Sequence, residues 1–478
     1  FVEAQLMVQE SSRAKYLIKN TAIFAIGNIA TKLITFFLVP LYTNALATDQ
    51  YGTADLVTTL CAVLAPVLIL NIGEGVMRFS LDDGADYNKI MSVGLALLAL
   101  SFAIGLVIIP IAGLFGAVAG YTIYIYFYTV TLAGSQLFLC YLRGKELLVR
   151  YAVGNILQTI AVAVLNILFL LVLDLGLPGY FMAYILSSAV AMVYAFLAGN
   201  VVDVFRNFKI DFDLAKEMSR YSAVLIPNTF MWWIINSSDR VLVTALLGTA
   251  ANGIYAVSYK IPSVVSVVAG IFNQAWSYTA IHEDGSEDRD EYCDRVYGGL
   301  VGVSVVTGVA LLLFMKPIMG IYVEASYYEA WRYTPFLIIG NVFMTTGTFL
   351  GSWYTVNKDS KGYLFSATFG AIVNVLLNLA LIPFLGITGS ALATCFSYIT
   401  VYAYRVFDTK RYVNINTMKA SYAAAYVVLF LAGGTLFMDG AAGELLMLAE
   451  LLAVIAIFRR EMGTLFCGLL RIVKERLG

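Results

Sequence analysis

Between residue 20 and residue 458 the chain is a succession of fourteen mostly apolar stretches, each closed by a short polar or Gly/Pro-marked break. They run over 20–44, 53–77, 90–113, 119–142, 151–174, 178–201, 221–247, 252–280, 296–321, 331–356, 363–385, 387–407, 418–438 and 441–458. A bilayer core of about 30 Å is crossed by about 20 such residues in a helix. Only 13% of the residues are charged and 60% are apolar or aromatic, against about 25% charged in an ordinary soluble domain. Strand-type alternation is absent, which excludes a β-barrel. The expected fold is an all-α integral membrane protein with fourteen transmembrane helices.

The cations orient these spans. If the chain starts inside and alternates, one side receives Arg13, Lys15, Lys19, Arg78, Lys89, Arg143, Lys145, Arg150, Arg206, Lys209, Lys216 and Arg220. The same side receives Arg289, Arg295, Lys358, Lys361, Arg405, Lys410, Arg411, Lys419 and the five cations of the tail, whereas the opposite loops hold only Lys316 and Arg332. Such a positive-inside bias predicts that both termini are cytoplasmic. The first apolar segment is too long for a cleavable signal peptide and is followed by further spans.

An internal repeat supports the count. A shift of 201 residues places Leu41 on Leu242, Thr43 on Thr244, Leu46 on Leu247, Thr48 on Thr249 and Gly52 on Gly253. Six spans per half is an even number, so the halves share one orientation about an axis along the membrane normal. The expected organisation is an N-terminal lobe over 1–201, a cytoplasmic amphipathic linker over 202–220, and a C-terminal lobe over 221–408. An extra helix pair over 409–458 and a cytoplasmic amphipathic tail over 459–478 complete it. Two such lobes imply a cleft at the membrane midplane, where transporters bind substrate and rock to give alternating access.

Ionisable residues inside spans are expensive and mark a protein interior or a wet cavity. Lys32 shares a face of the first span with Asn28 and Thr35. Asp239 and Arg240 lie on the seventh, on a stripe with Asn228, Trp232 and Asn236. Lys260 lies in the eighth; Asp55 opens the second, and Glu74 and Arg78 close it. Lys32, Arg240 and Lys260 as cations, with Asp239 and Asp55 as counter-ions, suit an anionic phosphate or pyrophosphate, because Arg and Lys supply charge-assisted donors. Buried salt bridges that fix helix packing are the alternative for Asp239 and Arg240, and a plain interfacial placement is the alternative for Asp55, Glu74 and Arg78. Tyr255, Tyr259, Trp232, Asn28 and Asn236 are candidates to meet sugar, and Asp239, Asp55 or Glu74 to hold a coupling cation.

Three features stand apart. Glu450 interrupts the fourteenth span. The acidic stretch 282–288 has no EF-hand spacing and is expected to be a solvated connection. In the tail, Leu465, Leu469, Leu470 and Val473 oppose Arg471, Lys474 and Arg476, as in an interfacial helix on anionic headgroups.

Several chemistries are excluded. A net charge of −1 gives no electrostatic case for nucleic acid. The five cysteines form no C-x-x-C pair and there is one histidine, so neither a disulfide framework nor a metal site organises the chain. No G-x-x-x-x-G-K-[ST] or H-E-x-x-H occurs. Asp82, Asp83 and Asp86 read as a turn.

The segments Lys19-Asn20-Thr21-Ala22, Leu38-Val39-Pro40-Leu41-Tyr42-Thr43, Gln50-Tyr51-Gly52 and Gly73-Glu74-Gly75-Val76-Met77-Arg78-Phe79 resemble the Wzx-type polysaccharide/oligosaccharide flippases. These belong to the multidrug/oligosaccharidyl-lipid/polysaccharide (MOP) exporter superfamily. Asn252-Gly253-Ile254-Tyr255-Ala256 and Phe272-Asn273-Gln274-Ala275-Trp276 are similar to that family's second repeat. The resemblance implies two six-helix lobes in a V and the turnover of an undecaprenyl-pyrophosphate-linked glycan from inner to outer leaflet. It implies an extra helix pair bordering a groove for the lipid tail, and cationic cavity residues in spans one, two and eight. Lys32 and Lys260 match the first and last of these as Lys rather than Arg, and mid-span two carries no cation.

The expected protein is therefore a monomeric, non-enzymatic flippase of the bacterial inner membrane, without cofactor or metal. Its partners are a lipid-linked glycan, membrane lipid and a coupling cation. An ion-coupled multidrug or metabolite extruder of the same superfamily is the alternative. A membrane glycan polymerase or ligase would need a large outer loop, and the longest outer segment is around 321–331.

Overall fold

The computed structural model describes residues 33–82, 84–112, 116–283 and 289–477. Among them every regular element is a helix, and nine helices are long and apolar enough to cross a bilayer. Each expected span carries a helix, so the all-α multi-pass architecture stands. The spans outside those nine are met by shorter, broken or more polar helices: Leu33–Ala45, Phe212–Leu247, Thr249–Ser258 with Pro262–Glu283, Ile387–Asp408 and Ala420–Thr435.

Two of the expected spans are each two helices. The helix Thr48–Leu68 carries Pro66 in its last turn. Its carbonyl accepts the Asn71 N–H at 2.6 Å, and both Leu70 and Asn71 take left-handed backbone, at φ 52° and 53°. That conformation is uncommon for a side chain with a Cβ, and the chain restarts as Ile72–Ser80. In the eighth span the break follows from Pro262, which disfavours helical geometry in the preceding residue and opens the next helix at Pro262.

By its internal contacts the chain divides into two compact units. The first runs to Trp233 and takes in Gly248–Gly253; the second holds Ile234–Leu247 and the described residues from Ile254 onward. The division therefore falls inside the helix Phe212–Leu247. The stretch expected as a linker contains a short helix Val201–Arg206, an extended connection and the first turns of that long helix.

The first unit is centred on Ile72, Val76, Met91, Leu137, Leu142 and Ala195, to which Met218 from the long helix adds a fully buried side chain. Burial of such side chains contributes about 1.5–3 kcal/mol each. Lys89 meets Asp211 at 3.1 Å, and Asp211 Oδ1 accepts from Leu214 N–H at 3.3 Å, capping the long helix at its start. The Leu214 amide and then the Lys89 ammonium hold the Asp211 carboxyl below its usual range. A buried aromatic group completes the unit, with the Tyr51 and Tyr180 ring centroids 5.9 and 5.0 Å from that of Tyr42.

Gly52 and Gly253 lie against each other within this unit. A Cβ on Gly52 would overlap the Thr249 carbonyl oxygen, and one on Gly253 would overlap the Thr48 carbonyl oxygen. Asn252 Nδ2 closes the crossing by donating to Gly52 O at 2.8 Å. Absence of a Cβ is what lets two helix backbones approach this closely.

In the second unit, Arg405 differs from its expected place among the loop cations. It is fully buried on Ile387–Asp408, where Nε donates to Ser366 Oγ at 3.1 Å and Nη1 to Gly347 O at 3.0 Å. Its guanidinium also sits 5.1 Å from the Tyr363 ring centroid. A cation at a helix end scores as a loop residue by sequence position alone, yet here it anchors three helices.

Candidate functional site

The best-built polar site lies wholly in the second unit, around Asp239 on the stretch Ile234–Leu247. Asp239 is completely buried. Tyr255 and Tyr259, one helical turn apart, donate to its Oδ2 at 2.6 and 2.9 Å. Thr394, on Ile387–Asp408, donates to the same oxygen at 3.2 Å, and the Arg240 N–H reaches Oδ1 at 2.9 Å.

The network continues through uncharged groups. Asn374 Nδ2 donates to Thr394 Oγ1 at 3.4 Å, and Ser238 donates to Asn374 Oδ1 at 3.2 Å. Asn378 Nδ2 donates to Asn374 Oδ1 at 3.0 Å, and Ser390 donates to Asn378 Oδ1 at 2.7 Å. One carboxylate is thus linked to amide and hydroxyl groups from four helical segments. Charge buried at this depth is stable only when hydrogen-bonded and electrically balanced. The balancing cation is the neighbouring Arg240, whose guanidinium lies 5.4 Å from the Tyr259 ring centroid.

Such an arrangement can exchange a small cation on hard oxygen donors, because carboxylate, amide and hydroxyl oxygens are the ligands that hard cations take. No group of three His, Cys, Asp or Glu converges among the described residues, so soft-metal ligation has no donor set there.

Of the other expected site residues, Asn236 and Lys260 belong to the second unit and Trp232, Asp55, Glu74 and Arg78 to the first. Asn236 is exposed and accepts from the Tyr398 hydroxyl at 3.1 Å. Lys260 is half-buried just past Thr249–Ser258, and its carbonyl accepts from Ser263 Oγ at 2.5 Å. Trp232 is half-buried in the first unit, beside Trp233, whose Nε1 donates to Thr59 O at 3.0 Å. Asp55 is buried on Thr48–Leu68. Glu74 is half-buried on Ile72–Ser80, and Arg78 on the same helix pairs with Asp82 at an exposed position. Lys32 and Asn28 lie outside the described residues, as do Asp83 and 284–288. The tail backbone continues within the helix Ala441–Leu477; Arg459 is exposed, and the side chains beyond it are outside the described residues.

The sequence singles out Asp239, Arg240, Tyr255 and Tyr259, which the structure brings together. Asn374, Asn378, Ser390, Thr394 and Tyr398 carry no such mark and join them only in the fold. Their signal is spacing: Asn374 and Asn378 are i, i+4, and Ser390, Thr394 and Tyr398 are i, i+4, i+8, each set on one helix face.

Residues 17–278, more than half of the chain, match the family model described as polysaccharide biosynthesis protein. Over 239 residues the chain is 23% identical to an uncharacterized membrane protein of Methanocaldococcus jannaschii, covering 49% of this chain and 55% of that relative. The chain thus spans about half the length of the relative it matches. Its fold is similar to that of the lipid II flippase MurJ in an inward closed conformation, with a TM-score of 0.66 at 14% identity, covering 94% of this chain and 100% of that one. It is also similar to an inward-facing multidrug resistance MATE family transporter of the MOP superfamily, with a TM-score of 0.59 at 15% identity over 80% of this chain and 93% of that one. A MATE transporter of Vibrio cholerae gives a TM-score of 0.53 at 15% identity, over 84% and 97%. These likenesses show a shared helical fold.

Proposed function

Since the chain belongs to the polysaccharide biosynthesis protein family and has the fold of MOP-superfamily transporters, we propose that it is a flippase for a lipid-linked envelope precursor. Its substrate is an undecaprenyl-pyrophosphate-linked oligosaccharide or a related lipid, moved from the inner to the outer leaflet of the bacterial cytoplasmic membrane by alternating access. Both termini are cytoplasmic in this reading, by the distribution of Lys and Arg.

The observation that carries the reading is the buried Asp239 with its three hydroxyl donors, directly followed in sequence by Arg240. Arg240, Lys260 and Lys32 neutralise the phosphate head, while Asn28, Asn236 and Trp232 meet sugar and the prenyl tail stays in lipid. The hydroxyls of Tyr255 and Tyr259 serve Asp239, which takes the coupling cation. Adjacency then supplies the coupling. A cation on Asp239 cancels the carboxylate that balances Arg240, freeing the guanidinium for phosphate; by linkage, phosphate on Arg240 changes the affinity for the cation equally. Asp55 and Glu74 balance charge in the first unit, and Arg78 anchors the end of its helix.

Single Arg240→Ala, Lys260→Ala and Lys32→Ala variants test this reading. Cell-surface glycan is expected to fall at normal protein abundance, and a prenyl-linked intermediate to accumulate when the protein is depleted. Undiminished glycan in all three variants would sink the phosphate site; no prenyl-linked build-up would sink the flippase. The likeness to MATE transporters favours one second reading, an ion-coupled extruder of multidrug or metabolite cations, for which depletion would leave prenyl-linked lipids unchanged.

A further inference from the structure

Glu450 takes no part in the Asp239 network. It lies midway along the apolar stretch Ala441–Arg459, and only 8% of its surface is accessible. Oε1 accepts from Thr435 Oγ at 3.0 Å; Oε2 is buried with no hydrogen-bond partner among the described residues. An ionised carboxylate at such a position needs a cation or several donors, and among the described residues a single hydroxyl is the whole provision. The neutral acid leaves one O–H unmatched, which is far less costly than an unpaired charge.

A cavity of about 540 Å³ is lined among others by Leu313, Lys316, Leu436, Glu444, Met447 and Leu448, with Thr435 and Glu450 one layer behind these residues rather than in its wall. Leu436 follows Thr435 in sequence, and Met447 is one helical turn before Glu450, so both members of the pair adjoin lining residues. The rim is ionic: Lys316 Nζ meets Asp439 at 3.1 Å and lies 4.7 Å from the Trp331 ring centroid. The charged groups on this side include Lys316, Asp439 and Glu444, and Arg332, whose guanidinium lies 5.8 Å from the same Trp331 ring centroid. On the packed helix Arg289–Leu313, the charged residues are confined to its first turns, Arg289 to Arg295, near Tyr297. On Ala420–Thr435 the titratable groups are Tyr422 and Tyr426, and Tyr422 stacks on Phe458, at the far end of the apolar stretch Ala441–Arg459.

We propose that Glu450 is a proton-binding site, resting as the neutral acid and exchanging its proton with water through the cavity, at the membrane face that carries the 436–440 turn. In the exchange the Oε2–H bond breaks, its electron pair stays on Oε2, and a water molecule takes the proton. The site stands on the geometry of the second unit and holds whatever the transported substrate is.

The test is labelling of the full chain, in nanodiscs of neutral lipid, with dicyclohexylcarbodiimide, which attacks protonated carboxyls in apolar surroundings. The carboxyl O–H adds across one C=N bond and the acyl group migrates to nitrogen, leaving a stable N-acylurea with no leaving group. Peptide mass spectrometry is expected to find the adduct on Glu450, with a yield that falls about tenfold per pH unit once the acid ionises. Glu450→Gln abolishes the adduct, while Asp439 and Glu444 still react with a water-soluble carbodiimide. Thr435→Val removes a donor that favours the ionised form and shifts the labelling midpoint to higher pH, a change that a merely structural role would not produce. No adduct on Glu450 at any pH, a yield independent of pH, or an unmoved midpoint in Thr435→Val would each overturn the proposal.

Discussion

Tyr255 donates its hydroxyl to Asp239 Oδ2 at 2.6 Å, and the tyrosine one turn later donates to the same oxygen at 2.9 Å. Hydrogen bonds to a charged acceptor contribute about 1.5–3 kcal/mol each. Tyr255→Phe keeps the ring and loses one of them, so thermal stability in detergent is expected to drop by about that amount. A coupling cation that binds only the folded protein stabilises it by mass action. Sodium titration is therefore expected to raise the melting temperature of the unmodified chain and to leave Asp239→Asn flat; equal responses would contradict a cation at Asp239.

The crossing of Gly52 and Gly253 gives a sharper stability contrast. Alanine at either position drives a Cβ into a carbonyl oxygen of the facing helix, and overpacking against backbone costs about 1–3 kcal/mol or more. Gly270, on Pro262–Glu283, has no neighbour among the described residues within 4 Å of where a Cβ would stand, and alanine there is expected to stabilise the helix by up to ~1 kcal/mol. Unfolding of the three variants in one detergent would check the order.

Arg405 is held by Ser366 and Gly347 through its fork geometry. Lysine keeps the charge but loses the planar donors and the stacking on Tyr363, so Arg405→Lys is expected to destabilise by about 1–3 kcal/mol. Arg405→Met, which removes the buried charge altogether, is expected to be the milder change. Thermal unfolding with intrinsic fluorescence would rank them.

Acid sensitivity has a named source at the turn between Thr334–Val356 and Ser360–Leu385. Asp359 accepts from Gly362 N–H at 3.0 Å, from Tyr412 Oη at 2.8 Å and from Arg411 at 2.9 Å. The Gly362 amide first, then Tyr412, and Arg411 with them, hold its carboxyl below the usual range. Its contribution to stability is therefore complete above the unfolded value of about 3.9 and is lost as pH falls through the depressed folded value. A denaturation series into acid is expected to show a slope that shrinks in Asp359→Asn.

Sequence made the spans legible because lipid permits few charges, so hydropathy alone marks a helix that must cross it. It marked neither internal break: 252–280 and 53–77 each read as one continuous apolar stretch, because neither Pro262 nor the pair Leu70 and Asn71, two ordinary side chains that take left-handed backbone, interrupts the hydropathy. Asp239 and Arg240 stood out as charges among apolar neighbours. Asn374, Asn378 and Thr394 did not, because an uncharged polar residue in a span is common and declares itself only through the partner it meets. Gly52 and Gly253 were visible as repeat equivalents; that they touch is a tertiary fact.

The division of the long helix Phe212–Leu247 between the two units sets an order on biogenesis. Domains emerging from the ribosome usually fold in sequence, the N-terminal one first. Here the first unit still lacks Met218, which is fully buried in its core, and the Gly248–Gly253 segment that closes on Gly52. Its assembly must wait until residue 253 has entered the membrane, by which point Asp239 has been inserted ahead of the Tyr255, Tyr259 and Thr394 hydroxyls that will receive it. A nascent chain stalled before Thr394 would therefore expose an unfinished carboxylate site to the insertion machinery, making the last third of translation the step at which quality control can distinguish complete chains from truncated ones.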